Sequence, residues 1–214
     1  MASVKIRSLI VLALLSAFIA LPMGVQAALV TGSISNATPP GDVITGGDWA
    51  LPADVSLGWS VDSIAGGYRY TYTFTAPSPG LSHFDLQTSD NFLLGNVLDA
   101  SQALTADDID TFTVGPSNPG WPEGESLYGI KFEFAEDGPQ TFWLETDRAP
   151  MEGDFYAKGG EDSFAYNSGF GSLDGANILV PDTESFPIPE PGTALLLGSG
   201  LIVIAGSGRM RFRK

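Results

Sequence analysis

The stretch that most restricts the fold is residues 68–75, Tyr-Arg-Tyr-Thr-Tyr-Thr-Phe-Thr, where an aromatic ring falls at every second position. An extended strand sends successive side chains to opposite faces, whereas a helix would scatter these rings around its axis. One face of the segment is therefore aromatic and the other polar. Gly66-Gly67 precedes it and Pro77-Ser78-Pro79-Gly80 follows it, so turn-forming residues define both ends.

The same grammar recurs along the chain. Residues 55–61, 81–87, 92–98, 110–114, 127–134, 140–146, 154–158 and 177–180 read as further strands. Within 127–134, Ile130, Phe132 and Phe134 share one face while Lys131 and Glu133 share the other. Turn clusters such as Gly115-Pro116-Ser117-Asn118-Pro119-Gly120 and Glu136-Asp137-Gly138-Pro139 separate the runs. Residues 28–54, rich in Gly, Pro, Thr and Asp, predict an irregular lead-in with at most short edge strands. No window in 28–186 keeps apolar residues at helical spacing for three turns, and no fixed-period repeat is visible. The pattern predicts an all-β domain, an antiparallel β-sandwich with a jelly roll as one form of it.

Charge narrows the partners. Residues 28–186 carry 24 acidic residues against four bases, Arg69, Lys131, Arg148 and Lys158, a net charge of −20. Such a field repels phosphate backbones and excludes nucleic acid as a partner. The chain has no cysteine, so disulfides, thiolate metal sites and a lipid-modified N-terminal Cys are all absent.

Both ends read as addresses. Residues 1–27 form a signal peptide: Lys5 and Arg7 open it, residues 10–21 are its apolar helical core, and Pro22 and Gly24 break that core. Val25-Gln26-Ala27 then offers signal peptidase a cut between Ala27 and Ala28. The expected domain occupies 28–180. Residues 181–188 form a linker kept extended by Pro181 and Pro187. Residues 189–214 hold three parts in order: Pro189-Glu190-Pro191, an uncharged and mostly apolar run over 192–208, and a basic stop of Arg209, Arg211, Arg213 and Lys214.

This tail resembles the PEP-CTERM sorting signal, a bacterial tail recognised by exosortase-type membrane proteases. The resemblance implies a transmembrane helix in the inner membrane with its basic end in the cytoplasm. It also implies cleavage near Pro189-Glu190-Pro191 and delivery to the cell surface or extracellular matrix of a Gram-negative-type bacterium. A permanent single-span anchor is the alternative. A helix over 194–207 would reach about 21 Å against a hydrocarbon core of roughly 30 Å, short enough to suit temporary residence. The middle of the chain also resembles a domain common among secreted bacterial proteins with various C-terminal anchors. That likeness rests on Leu81-Ser82-His83-Phe84-Asp85-Leu86, Gly129-Ile130-Lys131-Phe132-Glu133 and Ala157-Lys158-Gly159-Gly160. It implies a β-sandwich and no particular activity.

Few residues point to chemistry. His83 is the only histidine, and strand alternation places it with Asp85 on the outward face if Phe84 and Leu86 face the core. No Gly-x-Ser-x-Gly elbow accompanies it, so a serine-hydrolase triad lacks support. Asp107, Asp108 and Asp110 are the Ca²⁺ candidates, but the EF-hand spacing is missing. Glu133 and Glu145 are the conceivable pair for glycoside hydrolysis, one of many pairings that 24 carboxylates allow. Among Trp49, Trp59, Trp121 and Trp143, a glycan contact is assigned to Trp121, expected to be exposed in its Gly/Pro loop, and to Trp143. Core burial is the competing expectation for Trp59 and Trp143. Asn36-Ala37-Thr38 matches a glycosylation tripeptide by chance. The leading expectation is an exported, non-enzymatic surface or matrix protein with no required cofactor. A carbohydrate-binding module that retains exopolysaccharide is the alternative, and a small secreted hydrolase ranks last.

Overall fold

The structure, a computed structural model, describes residues 30–37, 41–135, 137–172 and 174–181. The signal peptide with its Ala27–Ala28 cut, linker residues 182–188 and the sorting tail lie outside the described residues. Among those described, all regular structure beyond three single 3₁₀ turns is β.

In chain order the strands are β1 (Val30–Ser35), β2 (Val43–Gly46), β3 (Ser56–Ile64), β4 (Gly67–Thr75), β5 (Leu81–Gln87), β6 (Val97–Ala100) and β7 (Ile109–Thr113). There follow β8 (Ser126–Glu133), β9 (Gln140–Thr146), β10 (Pro150–Gly153), β11 (Phe155–Gly159), β12 (Phe164–Asn167) and β13 (Ile178–Pro181). They form one sheet in the order β1-β3-β4-β9-β6 and another in the order β2-β12-β11-β5-β8-β7, with β10 and β13 as a separate pair. Every pairing is antiparallel. For clarity these are the first sheet and the second sheet.

The two sheets pack face to face through the aromatic stripe visible in the sequence. Tyr70, Tyr72 and Phe74 of β4 and Phe142 of β9 line the inner face of the first sheet, and all are buried. Opposite them stand Phe84, Phe132 and Phe155 of the second sheet, each fully buried. Phe142 meets both Phe84 and Phe132 with ring centroids 4.9 Å apart, and Phe74 meets Phe84 edge-on at 6.1 Å. Offset and edge-on geometries suit rings whose faces are negative and edges positive. Truncating one such ring to Ala costs about 3–5 kcal/mol.

The strand expectations hold for most of the chain, the short edge strands of the lead-in included, and two differences have local causes. Residues 92–98 do not form one strand: Gly95 and Asn96 turn the backbone through a 3₁₀ turn, Leu94–Asn96, and only β6 continues as strand. Arg148, itself 8% exposed, holds that turn by donating to Asn91 Oδ1 and O and to Asn96 Oδ1. The lead-in supplies β1 and β2, which occupy an edge of the first and of the second sheet respectively. Asn36 ties them down, accepting from Val55 N and donating to Ala53 O; at 2% exposure, its amide is fully committed to the fold. Pro181, expected to open the linker, is buried and closes β13 opposite Pro150.

Candidate functional site

Each sheet has an outer face, and the two faces differ. On the first sheet, the residues between the aromatic positions of β4 are Arg69, Thr71, Thr73 and Thr75. Register carries their rows across the neighbouring strands: Thr31–Ser60–Thr71–Trp143, Ser33–Gly58–Thr73–Thr141 and Ser35–Ser56–Thr75. The result is a hydroxyl-lined face, with Thr73 Oγ1 and Thr141 Oγ1 bonded at 3.0 Å. A fourth row, Asp62–Arg69–Glu145–Asp99, carries the charge.

Trp143 is half-buried on this face. Its position outside the core corrects the expectation of core burial, because β9 turns Phe142 and Leu144 inward and leaves residue 143 outward. The Arg69 guanidinium lies 4.0 Å from the centroid of the Trp143 ring and 3.6 Å from Glu145 Oε1. Cation–π contact and ion pair together brace the indole. Ser101 runs alongside: its N donates to Trp143 O at 2.9 Å, and Trp143 N donates to its Oγ at 3.1 Å. Residues 94–104 border a cleft of about 540 Å³ lined by Leu94, Val97, Asp99, Ala100, Ser101, Gln102, Ala103 and Leu104. That volume falls within the range of small-ligand clefts. With its amide set to satisfy both partners, Gln102 clasps the Glu133 backbone, donating to O at 3.0 Å and accepting from N at 3.1 Å.

The outer face of the second sheet is covered around His83 and Asp85 and open at Glu133. Between β7 and β8, residues 114–125 form a strap over it, held by Tyr156 Oη donating to Pro119 O at 2.6 Å. Trp121 seals the strap, its Nε1 donating to Glu125 O at 2.9 Å and its ring 4.6 Å from that of Tyr156. Trp121 is only 5% exposed. The expectation of an exposed glycan-stacking ring is therefore corrected: the Gly/Pro loop folds back on the sheet and buries its own tryptophan with Leu127, Phe112, Phe164, Tyr166 and Phe170. Gly120 permits this, with φ of +65° and Phe164 packed where a Cβ would stand.

Burial beside the strap changes His83 and Asp85. Alternation does turn both away from Phe84 and Leu86, but His83 is 7% exposed and Asp85 is 0% exposed. His83 Nε2 lies 3.7 Å from Asp85 Oδ2, too far for a hydrogen bond, and neither Asp85 oxygen has a hydrogen-bond partner. Desolvation pushes the Asp85 carboxyl up to about 8, with Lys131 pulling the other way. Desolvation, then Lys131 and Lys158, pushes His83 down to about 4. Both shifts favour the uncharged side chains. Across the strands, Asp85 faces Lys131 and Tyr156, and His83 faces Glu133 and Lys158.

The remaining candidates are not brought together. Asp108 Oδ2 accepts from Thr105 N and Oγ1 at 2.7 and 2.8 Å, Asp110 Oδ1 accepts from Thr111 N, and Asp107 is exposed. Among the described residues no group of three or more His, Cys, Asp or Glu side chains is arranged to hold a metal ion. Glu133 and Glu145 lie on different sheets. Sequence reading did not single out Asp154, whose carboxylate accepts from Asn167 Nδ2 at 2.7 Å and Gly171 N at 2.8 Å and joins β11 and β12 to the loop that follows. Nor did it single out Arg69 as the brace of Trp143, although its place in the same alternating strand was visible. No family model matches the chain, and neither a curated protein nor a solved structure matches it.

Proposed function

We propose that this chain is an exported cell-surface or extracellular-matrix protein that works by binding rather than by catalysis. The observation carrying this reading is the open outer face of the first sheet, where rows of Ser and Thr hydroxyls surround a half-buried Trp143 braced by Arg69. The only histidine lies largely covered beside Asp85, and burial favours the uncharged form of both, a poor arrangement for a general base that must meet substrate. This weighs against a small secreted hydrolase.

The delivery route belongs to the same proposal. Signal peptidase removes 1–27, and the tail helix holds the chain in the inner membrane as a single-pass intermediate. An exosortase-type protease then acts at Pro189-Glu190-Pro191, with 209–214 left on the cytoplasmic side. The extended linker gives that enzyme access. The domain itself we read as a jelly-roll variant of the sandwich, since successive strands repeatedly change sheets.

A specific observation favours the more precise reading of a carbohydrate-binding module that retains exopolysaccharide. The Trp143 backbone is hydrogen-bonded to Ser101, which lines a cleft with Asp99, so an outward indole and a cleft with polar groups stand on neighbouring segments. A glycan array probed with the purified domain tests it. Binding to one glycan class that disappears in Trp143→Ala supports the reading, and an array with no specific signal overturns it. For the route, Glu190→Ala is expected to leave the tail uncut on mass spectrometry; normal processing of that variant would sink the sorting claim.

A further inference from the structure

Asp85 is the most unusual side chain described. It is a carboxyl with no exposed surface and no hydrogen bond to either oxygen, in the middle of a sheet. A buried polar group left so costs about 1–3 kcal/mol, and native proteins rarely leave one without a use. Its surroundings define what that use can be. On β8 its cross-strand partner is Lys131, on the same outer face, where paired Cβ atoms stand about 4.5–5.5 Å apart. Lys131 Nζ is hydrogen-bonded to Glu133 Oε1 at 2.9 Å, two residues along the same face. On β5, His83 stands beside Asp85; Tyr156 and Lys158 of β11 face the pair across the strands, and Asn118 of the strap is hydrogen-bonded to His83.

We propose that Asp85 and Lys131 join into an amide, a covalent cross-strand staple between β5 and β8. The three groups that such a condensation needs are adjacent: an amine, an acid and a carboxylate already bonded to that amine. Burial keeps Asp85 in its neutral acid form, whose carbonyl carbon accepts a nucleophile where a carboxylate would repel it. The Lys131 ammonium gives one proton to Glu133. The Nζ lone pair then attacks Asp85 Cγ as the four-carbon stem swings from Glu133 toward the facing strand. A new N–C bond forms, one Cγ–O bond breaks, the hydroxyl leaves as water with a further amine proton, and Glu133, exposed at the sheet surface, releases the proton it took to solvent. One water is lost, nothing is oxidised or reduced, and no co-reactant is consumed. The staple would remove both the orphaned carboxyl and a charged amine from the sheet. It would serve an exported domain that has no cysteine with which to make a disulfide.

The test is the mass of the purified mature protein. The expected value is below the sequence mass by one water, and the deficit is absent in Asp85→Ala and in Lys131→Ala. Digestion of the wild type gives a second reading that requires no folded variant. Trypsin is expected to spare the bond after Lys131 and to release a branched peptide joining residues of β5 and β8. Glu133→Gln is expected to leave part of the protein uncondensed. Wild-type protein at its full sequence mass, with ordinary tryptic cleavage after Lys131, would overturn the proposal. So would a deficit that persists in Lys131→Ala, because dehydration at some other site would then account for it.

Discussion

The outer faces of the two sheets begin from the same local rule and end in opposite states. Both are polar by alternation: Arg69, Thr71 and Thr73 on β4, and His83, Asp85 and Lys131 on β5 and β8. The first face meets solvent and keeps ordinary surface chemistry, with an exposed threonine at its centre and a braced indole near one edge. Part of the second lies under the 114–125 strap and its aromatic cluster, and burial there favours the uncharged forms of His83 and Asp85. Period-two alternation decides which way a side chain points. A chain crossing over from elsewhere decides whether it stays in water.

The sharpest way to break this contrast is to open the strap. Trp121→Ala removes the ring that seals it and is expected to cost about 3–5 kcal/mol, the range for deleting a buried aromatic. A urea melt measures the loss, and amide exchange in 114–125 is expected to accelerate with it. The equivalent change on the open face, Trp143→Ala, is expected to cost under about 1.5 kcal/mol, because a half-exposed ring loses only part of its burial. Equal losses at the two sites would show that the faces do not differ in the way described.

Acid titration sharpens the comparison next. The folded protein holds His83 neutral to about pH 4, whereas an unfolded histidine binds its proton near pH 6.5. Between those values the unfolded state carries more protons, so stability is full above pH 6.5 and declines as the pH falls toward 4. His83→Asn is expected to flatten that limb of a urea-midpoint profile.

Asp85 has the opposite sign. A free Asp85 carboxyl, raised to about 8, makes its full contribution to stability below its unfolded value near 4 and loses it progressively as pH rises from there through about 8. If the staple forms, wild-type stability carries no such alkaline decline, whereas Lys131→Ala does. Matching declines in the two proteins would contradict the staple from a measurement independent of mass. The smallest effect is expected at the exposed pair on the first face. Arg69→Met should change stability by about 1 kcal/mol or less, since an exposed ion pair and an exposed cation–π contact are each weak.

Much of the framework was legible in the residues. The strands at 81–87 and 140–146 match β5 and β9 end to end, because turn-forming residues bound strong alternation at both places. Strands β10 and β12 were not legible: residues 150–153 and 164–167 are too short for alternation to rise above chance. The candidate site was legible only in part. Trp143 sat in a readable strand, but alternation alone left open which of its two faces was the inner one, and the burial of Phe142 and Leu144 decided it. Trp121 sat in a Gly/Pro-rich loop, whose composition marks a turn and carries no information about what the turn covers.

By itself the sequence determined the all-β class, the aromatic stripe, the strongly acidic composition of the domain and that His83 and Asp85 share a face opposite to Phe84 and Leu86. These follow from side-chain chemistry and a period of two residues, both of which act locally. The tertiary structure decided that Trp121 is a seal, that Arg69 stacks on Trp143 and that Asp85 is an orphaned acid opposite Lys131. Each depends on segments far apart in the chain meeting at one place. Desolvation, which sets the charge of a side chain, comes from those neighbours and not from the residue itself.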